Sequence, residues 1–308
     1  MAPRSLTHFV IVSAGAAGLM TARELARAGK KVTILEARDR CGGRIYPLPA
    51  QEFGYPAEGG AEFVHGAAPV TRALMREAGL SLLPIEGTRW GARNGAFSPN
   101  ESRLTHSALQ RALSGLKTDL PVAEFLKTHF ADRKYSELRN AVKRMVEGYD
   151  AADPNRASTF ALRDEWMGHG LRQQGRIAGG YGALIEFLVS ECRGHGATIH
   201  FSSVVTAIEE RRGWIAAYCD DGTTHEADAA ILTVPPPILR EISLPRGVHK
   251  KVKASTDIRF GNVVKILLRF STKWWTNCGG RDLSELSFLF SSERFPSGGH
   301  SIRPNIQC

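Results

Sequence analysis

Ser13, Gly15 and Gly18, followed at Glu36 by a carboxylate, are the residues whose types and spacing point most directly to chemistry. A turn of small residues lets backbone N–H groups come close to an anion, and a helix starting there adds the positive end of its dipole. A carboxylate about twenty residues further on offers only acceptors, which suits the diol of a ribose. The stretch Ser13, Gly15, Ala16, Ala17 and Gly18 therefore reads as a cradle for a pyrophosphate, and Glu36 as the group that fixes the adjoining sugar. The first position departs from the usual pattern: it is SxGxxG, not GxGxxG. A Cβ there costs about 1–2 kcal/mol where the turn needs a left-handed conformation.

The elements that must position these residues are legible around them. Phe9–Val12 is a β-branched apolar run of strand length. Leu19, Ala22, Leu25 and Ala26 carry helical spacing up to Gly29, the residue expected just past a helix end. Lys31–Leu35 predicts a second strand, which Glu36 closes. Strand, glycine turn, helix, strand and acid make one βαβ unit for a dinucleotide. The run from Arg4 to Met20 also has the basic-then-apolar order of a secretory signal, but a signal needs no capped helix, second strand and acid in register behind it.

Past Glu36 come Ala37, Arg38, Asp39, Arg40, Cys41, Gly42, Gly43 and Arg44. Here the chain resembles the flavin-containing amine oxidases, in which the acid is followed by R-x-G-G-R. NAD enzymes seldom carry that extension, so the resemblance implies FAD, held by Glu36, Ala37, Arg38, Gly42, Gly43 and Arg44. Further matches follow in order. Gly59-Gly60-Ala61-Glu62-Phe63-Val64-His65-Gly66 is similar to the family's GGA-x-x-(V/I)-x-G stretch. The resemblance places Gly60, Ala61 and Glu62 beside the flavin and His65 where polyamine-oxidising relatives carry a histidine near the substrate. Val205, three before Ile208, matches the V-x-x-I whose valine offers its backbone to adenine.

The segment Arg259–Phe270 has the composition of a strand with a mixed face, interrupted by Lys265. On residue type alone, a strand lysine faces solvent. Phe260-Gly261-Asn262-x-x-Lys265, with Trp274-Trp275 behind, resembles the family segment whose lysine holds a water at the flavin N5. The resemblance therefore implies catalytic roles for Lys265 and His65.

Organisation follows the same order. The expected fold is α/β: a doubly wound, Rossmann-like FAD-binding domain interrupted by a mainly helical substrate domain with a mixed sheet. Residues 5–82 form the first FAD segment and 83–176 the helical insertion. Residues 177–237 form the second FAD segment, opened by Gly179-Gly180-Tyr181-Gly182, and 238–296 the substrate-domain sheet. A hairpin is expected at Asn94-Gly95, and apolar stripes (Leu109/Leu113/Leu116, Val122/Phe125/Leu126/Phe130, Leu138/Val142/Met145/Val146) predict three core-facing helices. Nothing after Trp275 resembles the family's third FAD-domain segment. Residues 297–308 read as an irregular or out-of-frame tail, so the chain is expected to be a C-terminally truncated member.

Composition sets the outer limits. At 43% hydrophobic and 23% charged, the chain has the make-up of an ordinary globular protein. No run approaches ~18 apolar residues, so no membrane span is expected. The net charge of +9 reads as a basic solvated surface and not as a nucleic-acid site. Five cysteines without a CxxC pair argue against a disulfide framework or a zinc site and for a reducing cytoplasm. The implied function is oxidation of a small-molecule amine to an imine with non-covalent FAD, with oxygen as acceptor and hydrogen peroxide as by-product; the oligomeric state stays open. Two alternatives stand beside it: another FAD oxidoreductase of the desaturase or protoporphyrinogen oxidase type, and a silent fragment that binds flavin without turnover.

Overall fold

The computed structural model describes residues 6–93, 95–99, 106–167 and 174–291. The chain divides into two units: 1–62, 70–82 and 177–259 in the first, 63–69, 83–176 and 260–308 in the second. Compared with the sequence division, 63–69 joins the second unit because Val64 and His65 pair with Gly175 and Gln174. Residues 238–259 join the first because Ser243 bridges Ala207, and Ile242 is buried with Val205 and Ile208.

In the first unit, β1 (His8–Val12) lies between β2 (Lys31–Leu35) and the strand Ala229–Leu232, and a fourth strand, Thr198–His200, flanks β2; every pairing is parallel. Helix α1 (Ala16–Arg27) joins β1 to β2, and Gly29 ends it at φ +72°. Val10, Val12 and Leu35 face an antiparallel sheet of Val205–Arg211, Trp214–Cys219 and Thr224–Ala227, burying Val205, Ile208 and Ala217 against them. Residues alternating with these point the other way, towards the helical layer. There α1 packs on the helix Gly180–Gly194, where the Cys192 thiol donates to the Leu19 carbonyl at 3.2 Å. Arg23, 2% exposed, binds Glu77 and Glu191 and lies over the Phe187 ring, tying three helices together.

A histidine group joins the parallel sheet to the antiparallel one. The His200 and His225 rings are 4.9 Å apart, and His8 Nε2 lies 3.0 Å from the Thr33 hydroxyl. Burial first, then Lys31 and His225, hold His8 below the ordinary histidine value, against the opposing pull of Asp228. Burial and His200 do the same for His225, against Asp221. With folded values depressed, the unfolded chain binds more protons. The stability these residues contribute is complete above about pH 6.5 and is lost as pH falls through the folded values. The urea midpoint should fall between pH 7.5 and pH 5.5, and His225→Gln should flatten that slope; equal slopes would assign the loss elsewhere.

Among the described residues, the second unit contains four α-helices, Ser107–Gly115, Val122–His129, Ser136–Gly148 and Thr159–Met167, around Leu109, Leu113, Val122, Phe125, Leu126, Phe130, Leu138, Val142 and Val146. The expected stripes are thus buried apart from Leu116, packed at their margin, and Met145, which is half-buried and outside this cluster. The Ser158 hydroxyl accepts the Ala161 N–H at 3.0 Å, and Asp119 accepts the Phe160 N–H at 3.0 Å, so the last helix starts capped. Strand Thr88–Arg93 pairs antiparallel with Ala96–Pro99 and parallel with Leu286–Ser291, a mixed sheet over Trp275, Leu283 and Leu289. The hairpin expected at Asn94-Gly95 is present as this antiparallel pair, although Asn94 itself, like the tail 297–308, lies outside the described residues.

One element differs from expectation. Residues 259–270 form no ladder, and Val263, Val264, Ile266 and Leu268 are 59–83% exposed. β-Branched composition gives a strand only where a partner edge takes its hydrogen bonds, and no described strand does so here.

Candidate cofactor cradle and polar trio

The cradle begins where β1 ends. The Ser13 N–H donates to the Leu35 carbonyl at 2.8 Å, which holds the turn at the tips of both strands. Ser13 sits at φ +92°, the conformation for which this position ordinarily carries glycine. Its hydroxyl accepts the Gly15 N–H at 3.3 Å. Gly15 is the N-cap of α1, has no side-chain cap, and no acid occupies the first turn. Ala16 and Ala17, the first residues of α1, are exposed and no side chain caps the helix, so its positive end faces an anion approaching the turn.

The glycines differ in what they exclude. A Cβ on Gly18 would stand 1.9 Å from the Ser13 carbonyl oxygen and 2.8 Å from the Thr233 hydroxyl, so this glycine allows helix and strand to close. A Cβ on Gly15 would meet nothing nearer than the Ser13 hydroxyl at 3.6 Å, and its φ of −71° suits any residue. The protein does not itself require glycine there. Close approach of a ligand does, which is the fit expected of a pyrophosphate.

Glu36 is 4% exposed and its carboxylate already serves the backbone. One oxygen accepts the Ala14 N–H at 2.6 Å, and the other the Arg38 N–H at 3.1 Å. The first oxygen also takes the Ser13 hydroxyl at 3.4 Å, so the spare acceptor capacity for a sugar hydroxyl lies on the oxygen that faces Arg38. Ala37 and Arg38 follow, exposed, and Arg38 donates to the Gly43 carbonyl at 3.3 Å. Gly42 is at φ +103°, donates to the Ala14 carbonyl at 2.9 Å, and bridges Gly15, so the second loop lies directly on the first. The Ala61 N–H reaches the Arg44 carbonyl at 3.2 Å, and a Cβ on Gly60 would stand 2.0 Å from that carbonyl oxygen. The predicted residues from Ser13 to Glu62 are thus brought together in one unit. Val205, on the antiparallel sheet and 7% exposed, is buried in one cluster with Leu35, and the Ser203 N–H two residues before it donates to the Glu36 carbonyl at 2.9 Å.

Sequence reasoning missed two residues here. Arg40 donates to the carbonyls of Cys41, Ile45 and Gly43 at 3.1–3.2 Å with its guanidinium 4.1 Å from the Tyr46 ring centroid, so it shapes the glycine loop. Buried Glu58 accepts the Tyr181 N–H at 2.5 Å at the start of the helix Gly180–Gly194. Both contacts are side chain to backbone, which residue spacing does not reveal.

Relieving the strained turn gives a direct check. Ser13→Gly should raise stability by about 1 kcal/mol, a few degrees in Tm, because the hydroxyl contacts it loses are long at 3.3–3.4 Å. A lower Tm would mean that those contacts outweigh the backbone strain.

In the second unit, His65 Nδ1 lies 2.7 Å from Gln174 Nε2 and 2.9 Å from the Tyr149 hydroxyl, and Gln174 Nε2 also lies 3.1 Å from that hydroxyl. Loss of hydration beside these groups lowers the imidazole pKa. Neither Tyr149 nor Gln174 is visible as a site residue in the sequence. Lys265 lies half-buried on the unladdered run, beside the exposed Val264 and Ile266.

Comparison with known proteins agrees with this arrangement. A rice (Oryza sativa subsp. japonica) polyamine oxidase 5 is 28% identical over 87% of this chain and 59% of its own length. The human lysine-specific histone demethylase 2 is 26% identical over 86% of this chain and 35% of its own. Among solved structures, a redesigned putrescine oxidase variant superimposes with TM-score 0.60 at 19% identity, covering 80% of this chain and 63% of that one. A putative protoporphyrinogen oxidase from Exiguobacterium sp. 255-15 does so with TM-score 0.59 at 21% identity, covering 78% and 62%. The chain spans 59–60% of the length of the rice polyamine oxidases it matches. The flavin containing amine oxidoreductase family matches residues 16–304, and the chain belongs to that family.

Proposed function

We propose that the chain binds FAD non-covalently and oxidises a small-molecule amine to an imine, with oxygen as acceptor and hydrogen peroxide as by-product. The observation that carries the reading is the uncapped start of α1 at Gly15 beside the buried Glu36. FAD, when bound, supplies the hydride acceptor and the reaction with oxygen. The turn from Ser13 to Gly18 and the start of α1 behind it would hold the pyrophosphate, Glu36 the ribose, and the backbone of Val205 the adenine. The loops of Ala37, Arg38, Gly42, Gly43 and Arg44, and of Gly60, Ala61 and Glu62, cover the rest of the cofactor. By the family resemblance, His65 would serve the substrate and Lys265 would hold the water that assists the flavin's reaction. The polyamine and putrescine oxidases among the similar proteins support an amine as substrate. The unpaired thiols of Cys41, Cys192, Cys219 and Cys278 support a reducing, cytoplasmic setting.

The test begins with the purified chain. Flavin absorbance, release of the pigment on acid precipitation, and peroxide formed with polyamines or monoamines are the expected results. A colourless protein that takes up no added FAD would overturn the proposal. Lys265→Met keeps the side-chain length and removes the charge. In stopped-flow absorbance, both reduction by amine and reoxidation by oxygen should slow roughly tenfold or more. Unaltered rates would leave Lys265 an ordinary surface lysine.

The likeness to the Exiguobacterium protein supports a second reading, FAD-dependent oxidation of a substrate other than an amine. Flavin uptake without amine-dependent reduction would select it.

A further inference from the structure

We infer that Gln174 is a positioning residue that holds His65 in the tautomer with its proton on Nε2, so that the ring presents a neutral N–H donor and no basic lone pair. A glutamine side-chain nitrogen can only donate. Gln174 Nε2 carries two hydrogens and has two acceptors in reach, His65 Nδ1 at 2.7 Å and the Tyr149 hydroxyl oxygen at 3.1 Å. An Nδ1 that receives a hydrogen bond carries no proton. A proton there would set two hydrogens head to head across 2.7 Å. The Tyr149 hydroxyl lies 2.9 Å from the same nitrogen, whose single lone pair the Gln174 N–H fills.

The backbone makes this arrangement durable. His65 and Gln174 are direct partners across an antiparallel pair, so their separation is set by the ladder. Tyr149 closes the helix Ser136–Gly148, its N–H bound to the Met145 carbonyl at 2.8 Å. The Tyr149 and Phe63 rings meet the imidazole edge-on at 5.9 and 6.0 Å, which resists a ring flip.

On the amine-oxidation reading, on which the functional side of this inference rests, His65 gives the substrate a hydrogen-bond donor. It favours an uncharged nitrogen or a carbonyl oxygen over an ammonium, and it takes no proton from the substrate. The catalytic role expected for His65 from the sequence becomes one of binding and selection.

The test reads the tautomer and needs neither cofactor nor turnover. Long-range proton–nitrogen spectra of the ¹⁵N-labelled full chain resolve the imidazole nitrogens, and loss of one pattern in His65→Asn assigns His65 among the ten histidines. The parent should show Nε2 protonated and Nδ1 bare. Gln174→Glu replaces the donor by an acceptor and should move a proton onto Nδ1, whereas Tyr149→Phe should leave the parental tautomer. A parent ring protonated at Nδ1, or a Gln174→Glu spectrum unchanged at His65, overturns the inference. If Gln174→Glu displaces the other histidine patterns as well, the parent and Tyr149→Phe spectra decide. An Nδ1–H ring in a protein that oxidises amines would sink this inference alone; an Nε2–H ring in one that does not would sink only the amine reading.

Discussion

Gly18→Ala should lower FAD affinity by at least a hundredfold and destabilise the first unit by about 2–3 kcal/mol. The new Cβ would stand 1.9 Å from the Ser13 carbonyl oxygen, a backbone atom that cannot swing aside, and 2.8 Å from the Thr233 hydroxyl. Thr233 is itself committed, donating to the Val12 carbonyl at 2.9 Å. Relief requires α1 to lift from the strand tips, which carries the Ala16 and Ala17 amides away from the anion they are to meet. Alanine's better helix propensity returns about 1 kcal/mol, less than the clash costs. Gly194→Ala, at the end of its helix, is the control, because its Cβ would have nothing within 4 Å; it should leave affinity unchanged and hold or slightly raise Tm. Parental affinity in Gly18→Ala would show that the turn is loose enough to re-form, and the close-approach account of this cradle would fail.

The second large effect is at Glu36, where two losses must be separated. Glu36→Ala removes the acceptor of the Ala14 N–H, at a residue with no exposure, and of the Arg38 N–H. An orphaned buried donor costs about 1–3 kcal/mol, so the cofactor-free protein should melt lower. The ribose contact should cost a further 1.5–3 kcal/mol, one to two decades in FAD affinity. Melting of the cofactor-free chain and fluorescence titration with FAD read these independently. A lowered melt with undiminished affinity would leave Glu36 structural only. Glu36→Gln is not neutral either, since its amide would face one of the two N–H groups donor to donor.

Glu36 also marks how far residue order informs. The acid's place at the end of β2, the glycine turn, the helix stopping at Gly29 and the amphipathic stripes from Leu109 to Val146 are set by hydrogen bonds and periodicities within a few residues. These were legible in the sequence. What Glu36 does first, accepting the Ala14 N–H, joins residues 22 apart and was not. The same holds for Glu58 at Tyr181, 123 residues away, and for His65 with Gln174, 109 residues away. The reverse error fell at Val263–Leu268, where strand-like composition has no partner edge among the described residues. Strand character is a property of a pair, and only one member can be read locally.

The sheet order has a consequence in time. β1 is flanked on one side by β2 and on the other by Ala229–Leu232, and Thr233, next in the chain, holds the Val12 carbonyl behind the glycine turn. The pocket for the nucleotide therefore has only half its wall until residue 233 has left the ribosome, roughly 10–50 s after synthesis begins. On the proposed reading, cofactor capture waits for residue 233. The helices of the second unit, whose contacts are local, can form well before it.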